Sequence, residues 1–200
     1  VRFLRRDSYW DFSVPGHKNY LMDGVWHHNT TFTTCAKIVK FMMTNPPPRM
    51  DAPIWLISES YEMVCKSVWK EKMSPRTGYG LLPASEIDWE RVRWLRPNQG
   101  WPHEVPLKPW PGRPGKNYTI SFRSYAQGRQ QMQAESIAGF CFFEQFPWGL
   151  LEEVMRGCRE YAFEGNKLCE FTPVDPGMSM ELRMMEEEDK LPPGWAIYRA

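Results

Sequence analysis

From Thr31 onward, apolar residues recur at helical spacing. Phe32, Cys35, Ala36, Val39 and Met43 share one face, and Lys37 and Lys40 fall elsewhere. The spacing predicts an amphipathic helix that stops before Asn45-Pro46-Pro47-Pro48, because proline lacks the amide a helix needs. Pro53–Ser58 (PIWLIS) is a compact apolar run and predicts a buried strand. Glu59–Glu71 predicts a second helix with Tyr61, Val64, Cys65 and Val68 in a stripe. Residues 74–117 are rich in Pro, Gly and Trp and predict an irregular excursion. Tyr118–Phe122 alternates as a strand does, and Ile137–Phe143 (IAGFCFF) is another buried strand. Pro147–Tyr161 predicts a helix opened by proline, with Leu150, Leu151, Val154, Met155 and Cys158 inward. Lys167–Phe171 is a last strand before Thr172-Pro173. Helices alternating with apolar strands predict an α/β fold, a sheet with helices on its faces.

The first 29 residues follow a different pattern. After a basic start (Arg2, Arg5, Arg6), Ser8–Val14 alternates aromatic and polar residues. Pro15-Gly16 signals a turn, and Asn19–Met22 and Val25–His28 read as two short strands around Asp23-Gly24, a hairpin dipeptide.

Composition adds limits. The chain has 200 residues, enough for one domain with a real core plus a small appendage. It begins at Val1 rather than Met, which points to a fragment of a longer product. Lys plus Arg is 25 against 24 for Asp plus Glu, so no global charge draws the chain to nucleic acid. Cys35, Cys65, Cys141, Cys158 and Cys169 form no CxxC pair and read as buried reduced thiols. No apolar run approaches the roughly 18 residues of a membrane span. The sequons at Asn29 and Asn117 read as chance.

His28-Asn29-Thr30 carries one kind of chemistry. An asparagine side-chain nitrogen can attack its own peptide carbonyl, giving a succinimide and a broken chain. A neighbouring His speeds this by polarising the carbonyl and protonating the leaving amine. Thr30 places a hydroxyl just past the bond, a nucleophile able to carry an acyl chain as an ester. The whole stretch from Tyr9-Trp10-Asp11-Phe12 through Pro15-Gly16-His17-Lys18-Asn19-Tyr20 and Gly24-Val25-Trp26-His27-His28-Asn29 resembles the C-terminal splicing blocks of inteins. The resemblance implies Asn29 as the cyclising residue, His28 as its assistant, Asp11 as the block aspartate and Thr30 as the first host residue. Residues 1–29 would then be an intein segment from a Hint-type fold. The family often has His directly before the Asn-aromatic step; Lys18 stands there, with His17 one residue early. The upstream intein half, with its first nucleophile, would be a separate partner or a preceding segment.

A second chemistry follows the junction. Thr30-Thr31 opens an amphipathic helix, as the Ser/Thr of a P-loop (G-x-x-x-x-G-K-[ST]) does when its hydroxyl ligates magnesium. If the host sequence before an intein ended in Gly-Lys, splicing would put Thr30 in that position. Ile54–Val68, Ile120–Tyr125, Gln127-Gly128-Arg129, Ala138–Arg159 and Glu170-Phe171-Thr172-Pro173 resemble, in that order, the ATPase domain of phage terminase large subunits. The resemblance spans most of residues 30–185, and 186–200 would begin a linker toward a nuclease domain. It implies a P-loop ATPase sheet that uses ATP and Mg2+ and drives double-stranded viral DNA into a capsid. The implied partners are a portal, a small terminase subunit and further copies of the chain, in the cytoplasm of a bacterial host, with no membrane.

Phe140-Cys141-Phe142-Phe143-Glu144-Gln145 matches the second nucleotide motif of that family. The match implies Glu144 as the catalytic carboxylate, also near the metal. The family's magnesium-side Asp would precede it, and Phe143 stands there. Either Glu144 does both jobs, or the motif is shifted by one residue, or the site is impaired. Thr31 and Thr172 are the further nucleotide-site candidates, Thr172 where the family couples hydrolysis to movement. Arg129, Arg156 and Arg159 are candidate phosphate or DNA contacts. Two other readings stay open: a split-intein piece whose chemistry is splicing, and a non-catalytic remnant or assembly module.

Overall fold

The computed structural model describes residues 19–22, 25–77, 80–127, 135–143, 146–158 and 166–170, with 19–22, 25–30, 33, 77, 148, 152 and 166–170 as backbone only. The chain divides into two units, one of Val1–His28 with Pro173–Ala200 and one of Asn29–Thr172.

In the first unit, β1 (Asn19–Met22) and β2 (Val25–His28) form an antiparallel hairpin. Asn19 faces His28 and Met22 faces Val25, so only residues 23 and 24 lie between the strands. This is the hairpin that the Asp-Gly dipeptide predicts.

The second unit is built on a six-stranded sheet. Its strands are β3 (Ala52–Ser58), β4 (Arg93–Arg96), β5 (Trp101–Pro106), β6 (Tyr118–Ser124), β7 (Gly139–Phe143) and β8 (Asn166–Glu170), in the order β4-β5-β6-β3-β7-β8. The pairs β6-β3, β3-β7 and β7-β8 are parallel, while β4-β5 and β5-β6 are antiparallel. β3, β6 and β7 are buried at every residue, as strands covered on both faces must be.

Side-chain alternation sorts this burial into two layers. Ile54, Leu56, Ile120, Phe122, Cys141 and Phe143 join one apolar cluster. That cluster also takes Cys35, Ile38, Val39 and Met42 from α1 (Asn29–Thr44), and Val64, Cys65, Val68, Trp69 and Met73 from the second helical segment. Trp69 meets Phe122 edge-on at 5.7 Å between centroids. Trp55, Ile57, Phe140 and Phe142 are buried outside it, as are Leu150, Leu151, Val154 and Cys158, which belong to or directly follow the helix Trp148–Gly157. Phe142 also lies 4.5 Å from Phe146.

Three expectations change. The inward face of α1 is centred on Cys35, Ile38 and Met42, with Ala36 and Met43 only half-buried. The second helix starts at α2 (Tyr61–Met63), where Ser60 Oγ accepts from the Met63 amide, and continues over Val64–Met73 with wider π winding. With these named, the helix Trp148–Gly157 is α3. The stretch 74–117 is not all irregular, since β4 and β5 widen the sheet there. Pro102 and Pro106 in β5 and register shifts along β4 erase the alternation by which a strand is recognised. Gly100, at φ 66°, makes the turn between them.

A polar knot closes the other end of the sheet. The Asp51 carboxylate accepts from Arg91 Nη2 at 2.6 and 2.8 Å, from Asn117 Nδ2 at 2.8 Å and from Thr119 Oγ1 at 3.2 Å. Burial pushes this carboxyl's pKa up, but the bonds from Asn117, Arg91 and Thr119 together hold it below its ordinary value. No helix of the described residues is long and apolar enough to cross a membrane.

Candidate functional site at the carboxyl ends of the parallel strands

β3 ends at Ser58, β6 at Ser124 and β7 at Phe143, and all three run the same way. Their carboxyl ends therefore share one edge, the edge where open parallel sheets bind ligands. Polar side chains gather there. Arg123, one residue before the end of β6, is only 8% exposed. Its Nη2 lies 3.2 Å from Glu135 Oε2, its Nη1 lies 3.4 Å from His103 Nε2, and its guanidinium sits 5.2 Å above the Trp55 ring. A cation this buried is tolerated because a carboxylate and an aromatic face replace its water. Burial and then the Arg123 charge lower the His103 pKa, and because a guanidinium can only donate, Nε2 is the acceptor in this contact.

The turn after β6 is pinned from two sides. Gln127 Oε1 accepts from the Ser124 amide at 3.1 Å, and Gln127 Nε2 donates to the Tyr61 hydroxyl at 2.9 Å. Tyr61 stacks on His103 at 6.3 Å. Burial raises the Tyr61 pKa, and nearby Arg123 offsets part of that rise. The Tyr125 hydroxyl donates to the Phe143 carbonyl at 2.9 Å. Ser58 Oγ is fully buried and has no hydrogen-bond partner among the described residues.

The residues singled out by sequence fall unevenly on this frame. His28 closes β2, and Asn29 opens α1, so the Asn29–Thr30 bond lies in the first turn of the helix. Thr30 and Thr31 occupy that same turn, and the Thr31 side chain is half-buried. Asp11, Glu144 and Thr172 lie outside the described residues, as do Arg129 and Arg159. Glu144 directly follows β7, and Thr172 comes two positions after the end of β8. Arg156 is half-exposed and pairs with Glu153 of its own helix at 3.2 Å. Phe143 is 3% exposed and belongs to the apolar cluster that includes Cys35 and Met42 of α1. It is a core residue.

The architecture has solved counterparts. The large terminase of a thermophilic bacteriophage, in complex with ADP, superposes with a TM-score of 0.52 at 15% identity, covering 80% of this chain and 35% of the terminase. A second crystal form of the same phage's terminase gives a TM-score of 0.54 at 14% identity, covering 81% of this chain and 36% of the terminase. The fold is similar to that of part of a phage large terminase. The chain thus spans about a third of the length of the terminase it matches. No protein-family model matches the sequence, and no curated protein matches it.

Sequence reasoning assigned no role to Arg123, His103, Glu135 or Gln127. One signal was present: Arg123 directly follows the alternating stretch Tyr118–Phe122, and a charge carried by a buried strand demands a partner. The partners come from β5 and from the segment before β7, at sequence distances no local pattern reports.

Proposed function

We propose that this chain is part of an intein-interrupted terminase large subunit, whose spliced form hydrolyses ATP to drive viral DNA into a capsid. The observation that carries this reading is the parallel ladder β6-β3-β7-β8 with the terminase fold, in which β7 ends one residue before Glu144. The thermophilic phage's terminase, part of which has this fold, was solved in complex with ADP.

The placement of α1 supports a nucleotide site. Parallel crossovers are right-handed in about 98% of cases. β3 crosses to β6 by way of the face covered by Val64–Met73, whereas β7 crosses to β8 in the opposite direction. α1 shares the first face, contacts β8 and leads into β3. A strand preceding α1 in the spliced host then belongs on the far side of β8, whose outer edge pairs with no strand among the described residues. Its carboxyl end would deliver a Gly-rich loop to the first turn of α1, beside Thr30 and Thr31. Backbone amides at such a helix start attract phosphate.

The roles follow. Thr30 would give its hydroxyl to Mg2+, Thr31 and the helix start would hold phosphate, and Glu144 would orient the attacking water. Thr172, after β8, would couple hydrolysis to movement. Mg2+ would neutralise charge on the phosphates. It usually keeps several waters and takes one or two carboxylates plus phosphate oxygens. One hydroxyl and the single carboxylate of Glu144 fit that demand, and buried Phe143 contributes none. DNA, portal, small subunit and further copies of the chain are the partners this reading implies, in the host cytoplasm.

Before any of this, splicing would restore the loop. The Thr30 hydroxyl would accept the upstream host segment as an ester, displacing the first nucleophile of the upstream intein half, to which that acyl group had been attached. The Asn29 side-chain nitrogen would then attack the Asn29 carbonyl, closing a succinimide as the Asn29–Thr30 bond breaks. His28 would protonate the Thr30 amine, which then takes the acyl group from its own hydroxyl as an amide. Asp11 would assist the block. The β1-β2 hairpin, ending at His28, favours this reading of residues 1–29.

The test has two arms. Mass spectrometry of the full precursor should show cleavage at Asn29–Thr30 that Asn29→Ala abolishes. The spliced protein should hydrolyse ATP, and Glu144→Ala should lower turnover by about 10²–10⁴-fold, the usual worth of a proton-handling carboxylate. Turnover unchanged in Glu144→Ala sinks the assignment of that residue.

A further inference from the structure

Tyr125 begins the short turn after β6 and reaches across the end of β3 to β7. Its hydroxyl donates to the Phe143 carbonyl at 2.9 Å, and its ring lies 6.0 Å from Phe142 at a tilt of 48°. The β3–β7 ladder ends at the pair Ile57↔Phe142, one residue short of this carbonyl. Beyond that point the β3 side of the tip is held by no ladder pair, while β8 still pairs with Phe143 through Glu170, so the Tyr125 hydroxyl restrains the one side left open. The turn that carries Tyr125 is itself fixed, through Gln127, to the Ser124 amide and the Tyr61 hydroxyl. The phenol is thus a rigid strut rather than a loose arm.

A carbonyl and the amide that follows it are coplanar. Holding the Phe143 oxygen therefore holds the plane through which residue 144 leaves the strand, by covalent necessity. We infer that Tyr125 is a positioning residue for ATP hydrolysis: its hydroxyl fixes the Phe143 peptide and thereby aims the Glu144 carboxylate. The inference rests on the ATPase reading above. On this inference Tyr125 acts through Glu144, and misplacement of a reacting group by about 1 Å can cost up to about a hundredfold in rate.

The test uses the full spliced protein and the variant Tyr125→Phe, which keeps the ring and removes only the donor. We expect kcat to fall about tenfold with KM for ATP changed less than about twofold, intermediate within the range that such misplacement spans. The thermal midpoint should stay within a few degrees, as for loss of one partly exposed hydrogen bond. A cycle with Glu144→Asp completes it: the two losses should combine to less than their product, because the shortened carboxylate is already misaimed. Unchanged kcat in Tyr125→Phe overturns the inference. So does a rise in KM that accounts for the loss, a fall in kcat that tracks a large fall in thermal midpoint, or full multiplicativity in the cycle. An unmodified spliced protein without ATP turnover overturns the ATPase reading itself, and this inference with it.

Discussion

Phe143→Asp is the substitution that a motif comparison would recommend as a repair, and the structure predicts that it breaks the domain instead. Phe143 is 3% exposed and packs in the cluster that joins β7 to α1 and to the Val64–Met73 segment. Removing a buried phenyl ring costs about 3–5 kcal/mol through lost transfer energy and the cavity left behind. The introduced carboxylate adds a desolvation penalty among these apolar neighbours. A domain of ordinary stability has about 5–15 kcal/mol in total, so the variant should be largely or wholly unfolded at neutral pH. Guanidinium denaturation followed by tryptophan fluorescence measures this, with Phe143→Leu as the milder control, an apolar exchange that should cost less than the roughly 3–5 kcal/mol of full truncation. The pH dependence has a definite sign. Burial raises the folded-state pKa of the introduced carboxyl above its unfolded value. Its penalty is therefore smallest below the unfolded value near ~4 and grows as pH rises toward the folded one. The variant should be relatively more stable at about pH 5 than at about pH 8. A Phe143→Asp protein with a denaturation midpoint close to that of the parent, or with raised ATP turnover, would refute the placement of Phe143 in the core.

Two further predictions concern stability and reactivity. Asp51 has φ 50°, so Asp51→Ala loses the bonds to Arg91, Asn117 and Thr119 and keeps a strained backbone. It should cost about 1–2 kcal/mol after allowance for an exposed partner, while Asp51→Gly should cost about 1 kcal/mol less by relieving the left-handed strain. Because the Asp51 pKa is held below its ordinary value, its contribution is present above the unfolded pKa and is lost as pH falls through the folded one; equal denaturation midpoints of parent and Asp51→Ala at about pH 7 would contradict this. Burial pushes the Cys65 thiol up to about 12, so iodoacetamide at about pH 8 should modify it only after unfolding; rapid labelling of the native protein at Cys65, read by peptide mass, would show the site open.

Local sequence determined most of the central frame. β3 and β7 were legible as apolar runs, because strands buried on both faces need no alternation to announce themselves, and β6 was legible from its alternation. The β1-β2 hairpin was legible because Asp23-Gly24 sets the loop length and the loop length sets the pairing. α1 and α3 followed from apolar period and from the prolines that bound them. Tertiary structure alone decided the rest. β4 and β5 form because β6 offers an edge to pair with, and a pairing partner outweighs the weak strand signal of a proline-bearing segment. The setting of Arg123 depends on His103, Glu135 and Trp55, which converge from three separate stretches. Phe143 shows the difference most sharply. Its sequence neighbours present it as a carboxylate position left vacant, while its spatial neighbours make it part of the core. Only the second fact carries an energy, because burial is a property of what surrounds a residue in space and not of what adjoins it along the chain.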